Sequence, residues 1–152
     1  VTISASGTFL IPGSFTATGN GGKDVGPIIT ALTISALPTL TSPASSTNLT
    51  LTRSSGLTVT WTPGGTGTVN IQVSSGPDAF PNARAQVSCK ALASAGTFTN
   101  PPYVLLALPT TGGASFFIFG SESQAAFSAT GIDFGNFHAN IALAGFGGFA
   151  VR

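Results

Sequence analysis

The chain has 152 residues, 42% of them hydrophobic and only 6% charged, with a net charge of +1. Soluble domains usually carry about 25% charged residues, so Ser, Thr, Gly and Asn must supply the solubility, and few ions remain to keep strand edges apart. Lys23, Arg53, Arg84, Lys90 and Arg152 form no basic patch, which argues against a nucleic-acid partner; no run of about eighteen apolar residues offers a helical membrane span; and Cys89, the one cysteine, leaves no internal disulfide.

Residues 1–11 place Val1, Ile3, Ala5, Gly7, Phe9 and Ile11 at odd positions and hydroxyl residues at even positions up to Thr8. Successive strand side chains point to opposite faces, so this is a strand with one continuous apolar row that needs a groove to fill. Pro12-Gly13 marks a turn, Ser14 to Thr18 a short alternating run, and Gly19 to Asp24 a polar loop. Strand character resumes at Pro27–Ser35, and Pro38 and Pro43 bracket an irregular or edge strand around Leu40. Thr47–Thr52 and Leu57–Trp61 alternate clearly, which points Leu49, Leu51, Leu57, Val59 and Trp61 inward.

The turn Pro63 to Gly67 leads to Thr68–Val73, with Val69, Ile71 and Val73 on one face, so the strands at 57–61 and 68–73 are expected to pair as a hairpin. A polar excursion, Ser74 to Arg84, precedes a strand at 85–90, where Cys89 reads as a buried free thiol. Another strand follows at 95–99. Pro101–Pro109 is apolar without alternation and reads as one helical turn, near 102–108, plugging an end of the molecule. Strands at 115–119, 124–130, 132–134, 137–143 and 149–151 finish the chain. The fold class is all-β, and no period of 20–50 residues recurs to suggest a solenoid.

The stretches Gly56-Leu57-Thr58-Val59-Thr60-Trp61, Val87-Ser88-Cys89-Lys90-Ala91, Ala95-Gly96-Thr97-Phe98-Thr99 and Tyr103-Val104-Leu105-Leu106-Ala107-Leu108-Pro109 resemble an immunoglobulin-like module of secreted and cell-surface bacterial proteins, especially large acidobacterial exoproteins. The resemblance spans about the second two-thirds of the chain, carries no catalytic motif, and implies an immunoglobulin-like β-sandwich outside the cell. Residues 1–11 resemble instead the donor segments of strand-exchanging pilus subunits. The Cys pair and penultimate Tyr of chaperone–usher subunits are missing, since the sequence ends Ala150-Val151-Arg152. A start at Val1 without a charged, then apolar, leader fits a secreted chain after signal-peptide removal.

Residues able to carry chemistry are sparse. His138 is the one histidine, and its nearest acid in sequence is Asp133, in an alternating segment where a strand-face histidine is the ordinary reading. Asp24, Asp78, Glu122 and Asp133 are far apart in sequence, and the Gly-rich stretches lack the following helix and Lys-Ser/Thr of a phosphate cradle. Asn48-Leu49-Thr50 matches a glycosylation acceptor. Trp61 and Tyr103 could form a sugar-stacking platform, against which Trp61 reads as a core residue.

The organisation expected is a donor-type strand at 1–11 and a single β-sandwich at 12–152, without catalytic, metal or cofactor residues. The functional expectation is a cell-surface filament subunit that partners copies of itself head to tail, with residues 1–11 entering the adjacent copy. Burying Val1, Ile3, Phe9 and Ile11 would contribute roughly 6–12 kcal/mol before ordering costs. The alternative is a monomeric secreted module that binds carbohydrate or another surface.

Overall fold

The computed structural model describes residues 11–44, 49–77 and 84–152. Val1, Ile3, Ala5, Gly7, Phe9 and Asn48 lie outside the described residues; Ile11 is within them. The chain is an all-β sandwich, and its longest elements are two consecutive strands, β9 (Ser115–Ala129) and β10 (Ile132–Gly147), joined at Thr130-Gly131. With β6 (Thr68–Ser75) and β7 (Ala85–Leu92) they make an antiparallel sheet in the order β10-β9-β6-β7. β6 covers only the first half of β9, from Ser75↔Ser115 to Thr68↔Glu122, so the far half of the β9–β10 ribbon projects beyond the sheet.

Two smaller units cover one face of this ribbon in tandem. The first is the sheet β3-β5-β8, made of β3 (Leu40–Ser42), β5 (Leu57–Trp61) and β8 (Thr97–Asn100). Alternation sends Val59 and Trp61 inward to meet Val69, Ile71, Val73, Phe117 and Phe119, all 3% exposed or less. The rings of Trp61 and Phe119 lie 5.7 Å apart, and the Trp61 indole donates a 2.8 Å hydrogen bond to the Ala93 carbonyl, so its one polar atom is satisfied inside the core. The second unit is the hairpin of β1 (Gly13–Gly19) and β2 (Ile28–Ile34), which packs through β2 on β9 and β10. Its inward row Thr30, Leu32 and Ile34 is buried, with Phe15 paired across from Leu32.

The ends are closed by short elements. β4 (Thr50–Leu51) pairs in parallel with β11 (Ala150–Val151), and α1 (Pro102–Leu105) inserts Leu105, followed by Leu108, both wholly buried. The Arg53 guanidinium donates to the Leu108 carbonyl at 2.7 Å, satisfying an acceptor that the short helix leaves free. At the opposite end the loop before β2 meets the ribbon tip, where the Gly26 amide donates to the Thr130 carbonyl at 2.8 Å. Gly131 there has φ +87°, and the Asp24 carbonyl occupies the place a side chain would take, so only glycine serves both needs.

Several expectations need correction. The strands at 57–61 and 68–73 do not pair: β5 lies between β3 and β8 in one layer, and β6 lies between β7 and β9 in the other. The connection through Pro63 to Gly67 carries the chain from one layer to the other, which a two-residue hairpin turn could not do. The separate strands expected at 115–119 and 124–130 are one strand, and those at 132–134 and 137–143 are another. Two register shifts interrupt β10, one between Ile132 and Gly135 and one between Ala142 and Ala144, and each adds a residue to β10 that has no partner on β9. The strand expected at 47–52 is reduced, within the described residues, to Thr50–Leu51; Leu49 and Leu57 are only half-buried, although both pack on the core.

Two predictions follow from this packing. Gly135 sits opposite Phe127, and any Cβ at 135 would collide with that ring. Gly135 is not at positive φ, so Gly135→Val introduces crowding without backbone strain and should cost about 1–3 kcal/mol, measured by urea unfolding followed through Trp61 fluorescence. Cys89 faces inward but is half-buried rather than buried, because β7 is a sheet edge, and loss of solvent still pushes its thiol pKa up. The thiolate is the nucleophile, so alkylation of the folded chain at pH 8 should be severalfold slower than in urea and should accelerate as pH rises beyond the ordinary thiol range.

Candidate functional site

The side chains that distinguish this molecule's surface lie along β10. Among the described residues it is an edge strand, with β9 on one side and no strand on the other. On the core-facing side of the ribbon the row of β6 and the first half of the row of β9 are sealed, with Val69, Ile71, Val73, Phe117 and Phe119 at most 1% exposed, whereas Ser123, Ala125, Phe127 and Ala129 of β9 are half-buried. The corresponding row of β10, Phe137, Ala139, Ile141, Ala144 and Phe146, is half-buried at every position. Phe146 shows why. One face of its ring stacks on Phe117 at a centroid distance of 4.9 Å and its neighbour Phe149 meets it edge-on at 6.0 Å, yet the side chain still keeps partial contact with solvent. The bulge at Leu143 switches the side-chain phase, so the inward row runs through odd positions to Ile141 and even positions from Ala144.

From Phe137 to Gly147 the strand carries no Asp, Glu, Lys or Arg. Natural edge strands are usually guarded by such charges, by proline or by brevity; β10 is guarded only by its bulges. The outer face of the same region is a shallow apolar trough of about 290 Å³ bordered by Phe116, Ile118, Leu143 and Gly145, and Phe116 is 42% exposed within it.

The described part of the expected donor row is Ile11. It precedes β1 directly and is 59% exposed. The structure therefore sets an exposed apolar residue at the head of β1 and a half-buried apolar row along β10.

A polar cluster occupies the outer face near the middle of the ribbon. Glu122, 5% exposed, accepts from Lys90 Nζ at 2.5 Å and lies 3.3 Å from His138 Nδ1. Asn136 donates to Gln124 Oε1 at 3.2 Å and stands 3.4 Å from His138 Nε2. The cluster thus joins β7, β9 and β10 across the surface. Its stabilising value is modest, because Lys90 is half-exposed and such pairs contribute about 0–1 kcal/mol. His138 lies on a strand face, its ordinary reading from sequence, and the acid beside it is Glu122 rather than Asp133. Asp133 falls in the bulge near the ribbon tip, while cross-strand register sets His138 opposite Gln124 and diagonal to Glu122. A hairpin centred on Thr130-Gly131 was the signal that could have found Glu122; the added residue in the bulge is what puts it on the same face as His138.

Trp61 is 3% exposed and Tyr103 76%, so the two do not form a common stacking platform. Among the described residues no group of three or more His, Cys, Asp or Glu is gathered as metal ligands, and no helix is long and apolar enough to cross a membrane. Comparison with protein families, with curated proteins and with solved structures gives no match to this chain.

Proposed function

We propose that this chain is the structural subunit of an extracellular filament, with an immunoglobulin-like sandwich in each copy and residues 1–11 of one copy completing the sheet of the next. The observation that carries the reading is on the donor side. The main core runs from Leu51 to Val151, whereas Ile11, the described member of the alternating row, is 59% exposed at the head of β1. An uncharged segment that alternates apolar and hydroxyl residues suits strand addition, where backbone hydrogen bonds give affinity and alternate side chains give register. The contact is head to tail and does not close on itself, so one link per subunit propagates.

A chain with only 6% charged residues adds support, since little repulsion opposes close packing of copies. The rival reading, a monomeric sugar-binding module, loses the one aromatic pair proposed for it because Trp61 lies in the core.

Deletion of residues 1–11 is the direct test. The full chain should form fibres visible by negative-stain microscopy and pelletable by ultracentrifugation, and the deleted chain should stay monomeric with unchanged β-type circular dichroism. Fibres formed by the folded deletion variant would overturn the proposal.

A further inference from the structure

Strand donation requires a receiving surface, and the described fold offers several open edges of unequal quality. β3 spans three residues and β8 four, too short to hold an alternating row of six. β1 spans seven residues. β7 spans eight, but it carries Lys90, and the chain crosses directly from its end through Ala93–Ala95 into β8, which closes that side of the sandwich. β10 has sixteen residues, an uncharged run from Phe137 to Gly147, and an inward row that is half-buried throughout, including at Ala144 and Phe146, whose partners Phe119 and Phe117 are sealed.

Resting on the filament reading above, we infer that the receiving surface is the open flank of β10 between Phe137 and Phe146, and that its occupant is residues 1–11 of a second copy of this chain. Lengths agree: Phe137 to Phe146 is ten residues, about 33 Å of strand, and the ten residues that precede Ile11 would match it if added as a strand. Chemistry agrees as well. Neither segment contains Asp, Glu, Lys or Arg, so pairing desolvates no ion, and the donor's apolar row faces the partly covered side chains of Phe137, Ala139, Ile141, Ala144 and Phe146. The added strand supplies partners for backbone groups that an edge strand otherwise leaves to water, and it covers a half-buried row of the large sheet.

Ile141→Lys puts a charge in the middle of that row and leaves the donor segment intact. The variant should be folded, judged by the near-ultraviolet signal of Trp61, and its sedimentable fraction should fall at least tenfold. Mixed one to one with the chain lacking residues 1–11, which keeps the flank but has no donor, it should give a discrete heterodimer by light scattering rather than fibres. A folded Ile141→Lys variant that polymerises like the parent overturns the assignment to β10 while leaving strand donation intact. Polymerisation by the deletion variant overturns donation itself.

A second measurement covers the case in which Ile141→Lys does not fold. In a Cys89→Ser background, Ala5→Cys is combined with Ala139→Cys or with Ala144→Cys and the assembled chain is oxidised. A ladder of disulfide-linked multimers with at least one of the two pairs is the expected result. A cross-linked monomer would make the occupant the chain's own segment, and no link with either pair would remove β10 as the receiving strand; both outcomes overturn the inference.

Discussion

The structure depends on β9 being shared. This strand is paired along its length by β10, along its first half by β6, and is faced by β5 near its start and by β2 near its far end. Phe117 and Phe119 anchor the arrangement. Each is fully buried, which contributes about 1.5–3 kcal/mol apiece, and their ring contacts with Phe146 and Trp61 add about 0.5–1.5 kcal/mol each. The Lys90–Glu122 pair on the opposite face of the sheet is worth less than either. Apolar packing on one strand, and not the few charges, therefore determines how the layers meet. Glu122 also marks the boundary between the two covering units: β6 ends opposite it, and beyond it the ribbon is covered by the β1–β2 hairpin.

Much of this was legible from alternation. Val59, Trp61, Val69, Ile71 and Val73 face inward as their period of two requires, and the proline-bounded apolar stretch at 101–109 supplies the helical plug. Pairing was less legible than strand existence. Two neighbouring strands separated by a Gly-rich turn look alike whether the turn folds them together or passes them between layers, and the difference lies in distant partners, β8 for one and β9 for the other. The long strands read as fragments because Gly120 and the two bulges break the apolar pattern without breaking the pairing. The half-covered flank of β10 was not readable at all, since its residues are as apolar as those of a sealed row and only the tertiary arrangement decides which row is left open.

Hydroxyl groups take the place that ions hold on most surfaces. Thr41 and Thr60 hydrogen-bond at 2.8 Å and Thr58 and Thr99 at 3.0 Å across the outer face of the β3-β5-β8 sheet, and Ser35 reaches Thr66 at 2.8 Å to tie the β1–β2 hairpin to the connection between layers. Such pairs hold cross-strand register at small gain each, while leaving the surface hydrated and neutral. Neutrality removes self-repulsion at close range, so an extended edge on this surface is available to any segment that matches it.

The bulge at Leu143 bears on spacing. An added strand that slips by one residue along β10 would turn its hydroxyls toward the core, and a slip by two would carry its side chains past the one point between Phe137 and Phe146 where β10 changes phase. That defect acts as a fixed notch on an otherwise uniform rail, so copies joined through this flank would repeat at one constant axial distance.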